Sequence, residues 1–305
     1  MKKSDNNLLV VGGTGFIGSC VSKEAVNRGF QVSIFSKNDC PLTKRITGVE
    51  YIVVDITNRE RLFHVLKNKS FNYVLNLAGY VDHADYFSGG REVFKMHFYG
   101  TKNLINCIEK KSLKSFIQIG SSDEYGSNTA PQSEIQRELP ISPYSVAKVA
   151  STHFLQMLYR TERVPIVVLR PFLVYGVGQS NDRFIPQVVQ GCLNSNKFPV
   201  SFGEQLRDFC YIDDVVSAIF LALVSKNALG EVINISSGIP ISIKKVIVLI
   251  QSLIESGNPQ FGEIPYRNGE NMALYGDISK AEKILGWSPS VSLVDGLKKV
   301  IGQYE

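Results

Sequence analysis

Short apolar runs recur along the first 171 residues, with polar stretches of helical period between them. They are LLVVG (8–12), VSIF (32–35), YIVVD (51–55), YVLNLAG (73–79), SFIQIGS (115–121) and PIVVLRP (165–171), each aliphatic or β-branched nearly throughout. Strands that are apolar on both faces and alternate with helices belong to a parallel sheet covered on both sides. The pattern therefore predicts an α/β fold built on a doubly wound parallel sheet. The regularity breaks after Arg170. The Gly-rich YGVGQ (175–179), RFIPQVVQGCL (183–193), a short strand PVSF (199–202) and a tail from Ile239 read as a smaller lobe. DDVVSAIFLALV (213–224) reads as a helix with Asp213 and Asp214 capping its start, and EVINISS (231–237) as one more strand of the sheet. The expected division is 1–171 with 212–237 returning to it, against 172–211 and 238–305, so that the C-terminal lobe is partly interleaved.

Composition narrows the class. A chain of 305 residues, 44% hydrophobic and 20% charged, has enough apolar surface to fold and is not disordered. The net charge of +5 favours an anionic ligand, but the basic residues are spread out and form no block that would track nucleic acid. The five cysteines (20, 40, 107, 192 and 210) have neither metal-ligand nor redox-pair spacing, and an odd count argues against a disulfide framework. No metal site is expected. The polar start MKKSDNN lacks a signal-peptide apolar region, and the longest greasy run, Ala218 to Val224, is far too short to span a bilayer. A cytoplasmic protein with no membrane partner is expected.

VVGGTGFIGS follows the first strand and opens a helix, placing Gly12, Gly15, Phe16, Ile17 and Gly18 where backbone amides at a helix N-terminus hold a pyrophosphate. The second strand ends Ser36-Lys37, where an acidic residue would grip the ribose 2′-hydroxyl of NAD. A hydroxyl and a cation suit a 2′-phosphate, so NADP(H) is expected over NAD(H). The plainer alternative leaves Lys37 as a solvated lysine and gives the ribose to Asp39. Asp55 and Ile56, ending the third strand, are placed to bracket the adenine, and Leu77, Ala78 and Gly79 to line the cofactor beyond the fourth. Asp55 would equally cap the next helix.

SPYSVAK (142–148) sets Tyr144 and Lys148 four apart on one helix face. Such a pair arises about once by chance in a chain this rich in both residues, so context must decide. GSSDEYGS (120–127) ends the fifth strand and puts small hydroxyls at the carboxyl edge, where ligands bind in such sheets. There Lys148 would lower the Tyr144 phenol pKa, Tyr144 would exchange a proton with a carbinol or carbonyl oxygen, and Ser121 would hold that oxygen.

GGTGFIG, NLAG, SSDEYG, PYSVAK, LRPFLVYGVGQ, RDFCYIDDVV and LGWSP together resemble the extended short-chain dehydrogenase/reductases that modify nucleotide sugars, over nearly the whole chain. The resemblance implies a Rossmann domain, a C-terminal lobe for the nucleoside diphosphate, and often a homodimer packed through helices near 97–110 and 145–160. It makes Tyr144 the general acid/base, Lys148 the residue that orients the nicotinamide ribose, and Ser121 the family's Ser/Thr. Arg207 would meet the substrate diphosphate. Ser122, Asp123 and Arg183 complete the expected substrate contacts.

The departures choose among reactions. Family 4,6-dehydratases carry Asp-Glu directly after the Ser/Thr, whereas this chain has Ser122-Asp123, and a serine cannot protonate a leaving hydroxyl. Leu173 replaces the family's Asn and cannot donate that residue's hydrogen bond to the diphosphate. His97 stands where relatives have Asn and reads as a helix residue bonded to backbone or water, with orientation of the active-site loop as the alternative. Asp82-His83 reads equally as a substrate contact or as solvated loop. The leading expectation is NADPH-dependent reduction of the C4 keto group of an NDP-4-keto-6-deoxyhexose for surface polysaccharide synthesis. The alternative is an NAD-dependent 4-epimerase, and the distant one a dinucleotide-binding protein without turnover.

Overall fold

The computed structural model describes residues 6–194, 197–266 and 269–304, so the first five residues of the polar start lie outside it. All six apolar runs form strands: β1 (Asn7–Val11), β2 (Gln31–Ser36), β3 (Glu50–Val53), β4 (Tyr73–Asn76), β5 (Ser115–Ile119) and β6 (Ile166–Pro171). With β11 (Val232–Ile235) they make a seven-stranded sheet of order β11-β6-β5-β4-β1-β2-β3. The pairs β1–β2, β1–β4, β2–β3, β4–β5 and β5–β6 are parallel. This is the doubly wound Rossmann arrangement, and its strand order reverses beside β1, where crossovers leave in opposite directions and open a crevice at the carboxyl ends.

Burial explains the apolar runs. Leu9, Val11, Phe35, Val74, Phe116 and Val168 from the strands pack with Leu62, Leu104 and Leu155 from the helices in one core, all nearly inaccessible. The helices are α1 (Phe16–Asn27), α2 (Arg59–Leu66), α3 (Gly90–Phe94), α4 (Gly100–Cys107) and α5 (Pro143–Glu162). A π-helical segment, Lys95–Tyr99, joins α3 to α4. Ser142 caps α5, its side chain accepting from Ser145 N while the Ser145 hydroxyl meets the Ser142 N–H, and Pro143 occupies the first turn.

Two compact units emerge: residues 1–126, 137–170 and 216–233, and residues 127–136, 171–215 and 234–305. The second holds β7 (Leu173–Tyr175) paired with β10 (Phe209–Tyr211), β8 (Lys197–Val200) paired with β13 (Asn258–Phe261), and a small sheet β12-β9-β14 (Ile241–Ser242, Leu206–Arg207, Ala273–Leu274). Its helices are α6 (Phe184–Leu193), α8 (Ile243–Ile254), α9 (Ser279–Leu285) and α10 (Leu293–Ile301), and α7 (Ile212–Val224) runs from it into the first unit. Asp213 and Asp214 sit in the first turn of α7, as expected, and Asp214 also reaches the C-terminal residues. Its carboxylate accepts from Ser290 N and Oγ and from Val291 N, and the Trp287 indole donates to its backbone carbonyl, which ties LGWSP to the helix start. Among the described residues no helix is long and apolar enough to cross a membrane.

Candidate active site

The glycine loop opens where β1 meets α1. A Cβ on Gly18 would lie 2.4 Å from the Gly12 carbonyl oxygen, so only glycine lets helix and strand approach this closely. Gly15 is the helix N-cap with no side-chain cap, leaving the first turn's backbone donors and the helix dipole toward the loop. A Cβ on Gly12 would meet the Leu77 backbone at 3.0 Å, which puts the loop directly against Leu77-Ala78. The Asn76 side chain fixes that neighbour, accepting from Ala78 N and donating to Gln118 and Thr101. An uncapped helix start in a cradle that a Cβ would fill fits a dinucleotide pyrophosphate.

At the tip of β2, Lys37 Nζ lies 3.2 Å from Asp55 Oδ2, and the lysine side chain is 64% exposed. Asp55 also accepts from Thr57 N and Oγ1; burial raises its pKa, but these bonds and Lys37 leave it below the usual carboxylate value. Ser36 is buried and donates to the Asn38 carbonyl at 2.7 Å. Asp39 turns to the Arg45 guanidinium at 2.7 Å. Ile56 is 3% exposed and packs against Gly100, so of the pair meant to bracket the adenine only Asp55 keeps a side chain open to solvent.

Ser121, Tyr144 and Lys148 belong to the same unit, at the carboxyl end of β5 and the first turns of α5. Ser121 Oγ accepts from Asp123 N at 3.1 Å and its N–H donates to Glu124 Oε1 at 2.9 Å, a capping box around the short turn 122–125. Because the oxygen accepts there, the hydroxyl proton remains for a ligand oxygen. Tyr144 and Lys148 are each 5% exposed, and Lys148 Nζ stands 5.7 Å from the Tyr144 ring centre while donating to the Ile119 carbonyl at 2.7 Å. Burial pushes the Lys148 pKa down to about 8, with Glu124 and Asp123 pulling the other way.

Two groups of residues add to the expected site. His97, expected as a helix residue bonded to backbone or water, does bond backbone, its Nε2 2.9 Å from the Tyr80 carbonyl, and is buried with its ring edge-on to Tyr144 at 4.9 Å between centres. Burial, then the Lys148 charge, drives its pKa down to about 3, so it is neutral at working pH. It occupies the π-helical segment, an insertion frequent at functional sites, and a Cβ on Gly79 (φ +127°) would fall 2.0 Å from its Cε1. The second group is Glu124 with Arg170. The carboxylate is fully buried and takes Arg170 Nε and Nη2 at 3.0 and 2.7 Å and the Thr152 hydroxyl at 2.8 Å, while Arg170 also reaches Glu138 at 2.6 Å. The available signal was an arginine ending PIVVLRP: in a strand buried on both faces it demands a carboxylate.

Of the expected substrate contacts, Ser122 is buried, and Asp123 Oδ2 lies 3.6 Å from His83 Nε2. Arg183 is exposed at the N-cap of α6, and Arg207 is buried on β9, paired with Glu270 and donating to its own neighbour's carbonyl, Leu206 O. A diphosphate at Arg207 must share the guanidinium with Glu270.

Comparison with known proteins agrees with this geometry. The NAD dependent epimerase/dehydratase family matches residues 8–236. The chain is 26% identical to the dTDP-glucose 4,6-dehydratase of Haemophilus influenzae, covering 98% of this chain and 97% of that one. It is 27% identical to a putative UDP-glucose 4-epimerase of Methanocaldococcus jannaschii, covering 96% and 97%. Among solved structures, the UDP-glucose 4-epimerase of Thermotoga maritima with UDP-glucose superposes with a TM-score of 0.91 at 27% identity, 98% of each chain covered. The UDP-glucuronic acid 4-epimerase of Bacillus cereus with UDP-glucuronic acid and NAD gives 0.86 at 29%, over 97% of this chain and 98% of that one. A glycine loop at the sheet's switch point, a buried Tyr-Lys pair beside a serine turn and a family match over most of the chain lead to one conclusion: this protein is a member of the NAD-dependent epimerase/dehydratase family of nucleotide-sugar enzymes.

Proposed function

We propose that the protein reduces the C4 keto group of an NDP-4-keto-6-deoxyhexose with NADPH, giving an NDP-6-deoxysugar for surface polysaccharide. The observation that carries this reading is the tip of β2, where a solvent-exposed cation, Lys37, ends the strand in place of an acidic residue, while Ser122 replaces the acid a dehydration needs. Gly12, Gly15, Phe16, Ile17, Gly18, Leu77, Ala78 and Gly79 would hold the dinucleotide, which when bound supplies the hydride. Tyr144 donates its phenol proton to the C4 oxygen and Ser121 hydrogen-bonds the same oxygen. Lys148, with a pKa of about 8, keeps its positive charge at neutral pH and favours the phenolate that remains. In the second unit, Arg207 and Arg183 are the residues proposed for the nucleoside diphosphate.

A second reading, an NAD-dependent 4-epimerase, has a specific observation in its favour: Asp55 already occupies Lys37, so a 2′-phosphate has to compete for that cation. Purified protein incubated with NADPH and a panel of enzymatically made NDP-4-keto-6-deoxysugars separates the two. Stoichiometric loss of the reduced-nicotinamide absorbance, with a 4-hydroxy product by NMR, is expected. Conversion of a 4-hydroxy sugar without net cofactor consumption refutes reduction in favour of epimerisation. Tyr144→Phe should stop turnover and keep cofactor binding, and a fully active variant removes Tyr144 from the mechanism. The proposed state is a cytoplasmic homodimer. Five cysteines outside any disulfide fit a reducing compartment, and the outward-facing stripe Val146, Ala150, His153 and Met157 on α5 fits a second copy.

A further inference from the structure

Tyr144 is 5% exposed, yet every carbonyl reduced takes one proton from solvent, so that proton needs a route to the phenol. Two histidine rings pack edge-on against Tyr144. His97 offers no such route, because it is 4% exposed, its Nε2 is held by the Tyr80 carbonyl, and its Nδ1 is buried without a hydrogen-bond partner. Its pKa of about 3 keeps it from carrying a proton at working pH. His83 differs in exposure and in partner. Its ring centre lies 5.8 Å from that of Tyr144 at an interplanar angle of 80°, and its side chain is 42% exposed. Its Nε2 stands 3.6 Å from the Asp123 carboxylate, which can steady an imidazolium. The other ionisable groups nearby are Lys148 on α5 beside Tyr144, and Asp82 and Asp85 on the histidine's own loop, Asp82 being engaged by Ala84 N.

The geometry points to His83, steadied by Asp123, as the proton entry that recharges Tyr144 after each reduction. Tyr144 gives its phenol proton to the keto oxygen as the hydride reaches the carbon. The phenolate then takes a proton from the His83 imidazolium, directly or through one water, and the neutral imidazole is reprotonated by solvent. One carbonyl, one hydride and one proton yield one alcohol. This rests on the reductase reading, because an epimerase removes the hydroxyl proton and returns it with no net uptake.

The test is His83→Gln, which keeps a polar side chain and cannot relay a proton. We expect kcat for NADPH oxidation to fall about tenfold or more, KM and NADPH affinity to hold, and added imidazole to restore kcat. Unchanged kcat in His83→Gln, or a loss that imidazole does not rescue, overturns the relay alone. A wild-type protein that reduces none of the keto sugars removes the reductase reading and the relay with it.

Discussion

The residue that sets the character of the site beyond its expected members is His97. Buried against Tyr144 and Lys148, it is neutral in the fold because charging it would strand a cation in an apolar pocket beside an ammonium. Its folded pKa of about 3 lies below the ordinary 6.5, so the unfolded chain binds the extra proton between those values. Stability from this group is therefore complete above pH 6.5 and lost as pH falls through 3, a difference on the order of 4–5 kcal/mol. His97→Asn should flatten the acid limb of stability against pH by most of that amount, read by urea unfolding at pH 7 and pH 4, and a limb as steep as wild type contradicts the assignment. At the β2 tip the decision is equally local. Lys37→Ala should raise the dissociation constant for NADPH about tenfold, near the value of one charge-assisted contact, and leave NADH binding unchanged. Equal losses for both cofactors count against a 2′-phosphate at Lys37.

At the scale of elements, the serine turn is held to β6 and α5 by charge. Glu124 takes the Ser121 N–H, the Thr152 hydroxyl and Arg170 in one fully buried cluster, so the turn carrying the catalytic candidate cannot drift from the helix carrying Tyr144. Removing one partner of such a pair leaves a buried charge uncompensated, which costs about 3–5 kcal/mol. Arg170→Met should therefore destabilise by that amount. Glu124→Gln should cost less, since Glu138 still neutralises Arg170. Chemical denaturation of both variants gives the order, and a milder Arg170→Met reverses the account. Why the sequence hid this cluster is physical. Glu124, Glu138 and Arg170 are far apart along the chain, and charge pairing carries no periodicity. Gly79 was legible as part of NLAG, but its need for φ near +127° and for room at His97 shows only once the π-helical segment is in place.

At the scale of the whole molecule, the proposed homodimer rests on the face of α5 opposite the core. Val146 and Met157 are about two-fifths exposed on that helix, and Tyr99 is nearly half exposed at the end of the π-helical segment. Met157→Glu should shift the protein from dimer to monomer in size-exclusion chromatography with light scattering, because an ionised carboxylate is costly to bury. An unshifted dimer places the interface elsewhere. Sequence alone determined the strands and their parallel winding, since a strand buried on both faces must be apolar throughout and a glycine loop after the first one marks the switch point. It also brought forward Ser121, Tyr144 and Lys148, because local spacing and strand-end position survive in a linear string. Only the tertiary structure decided that His97 and His83 flank the same phenol, one sealed and one open, and that Lys37 meets Asp55. Those contacts depend on which side chains the fold desolvates together, and desolvation is a property of packing in three dimensions that no stretch of chain records by itself.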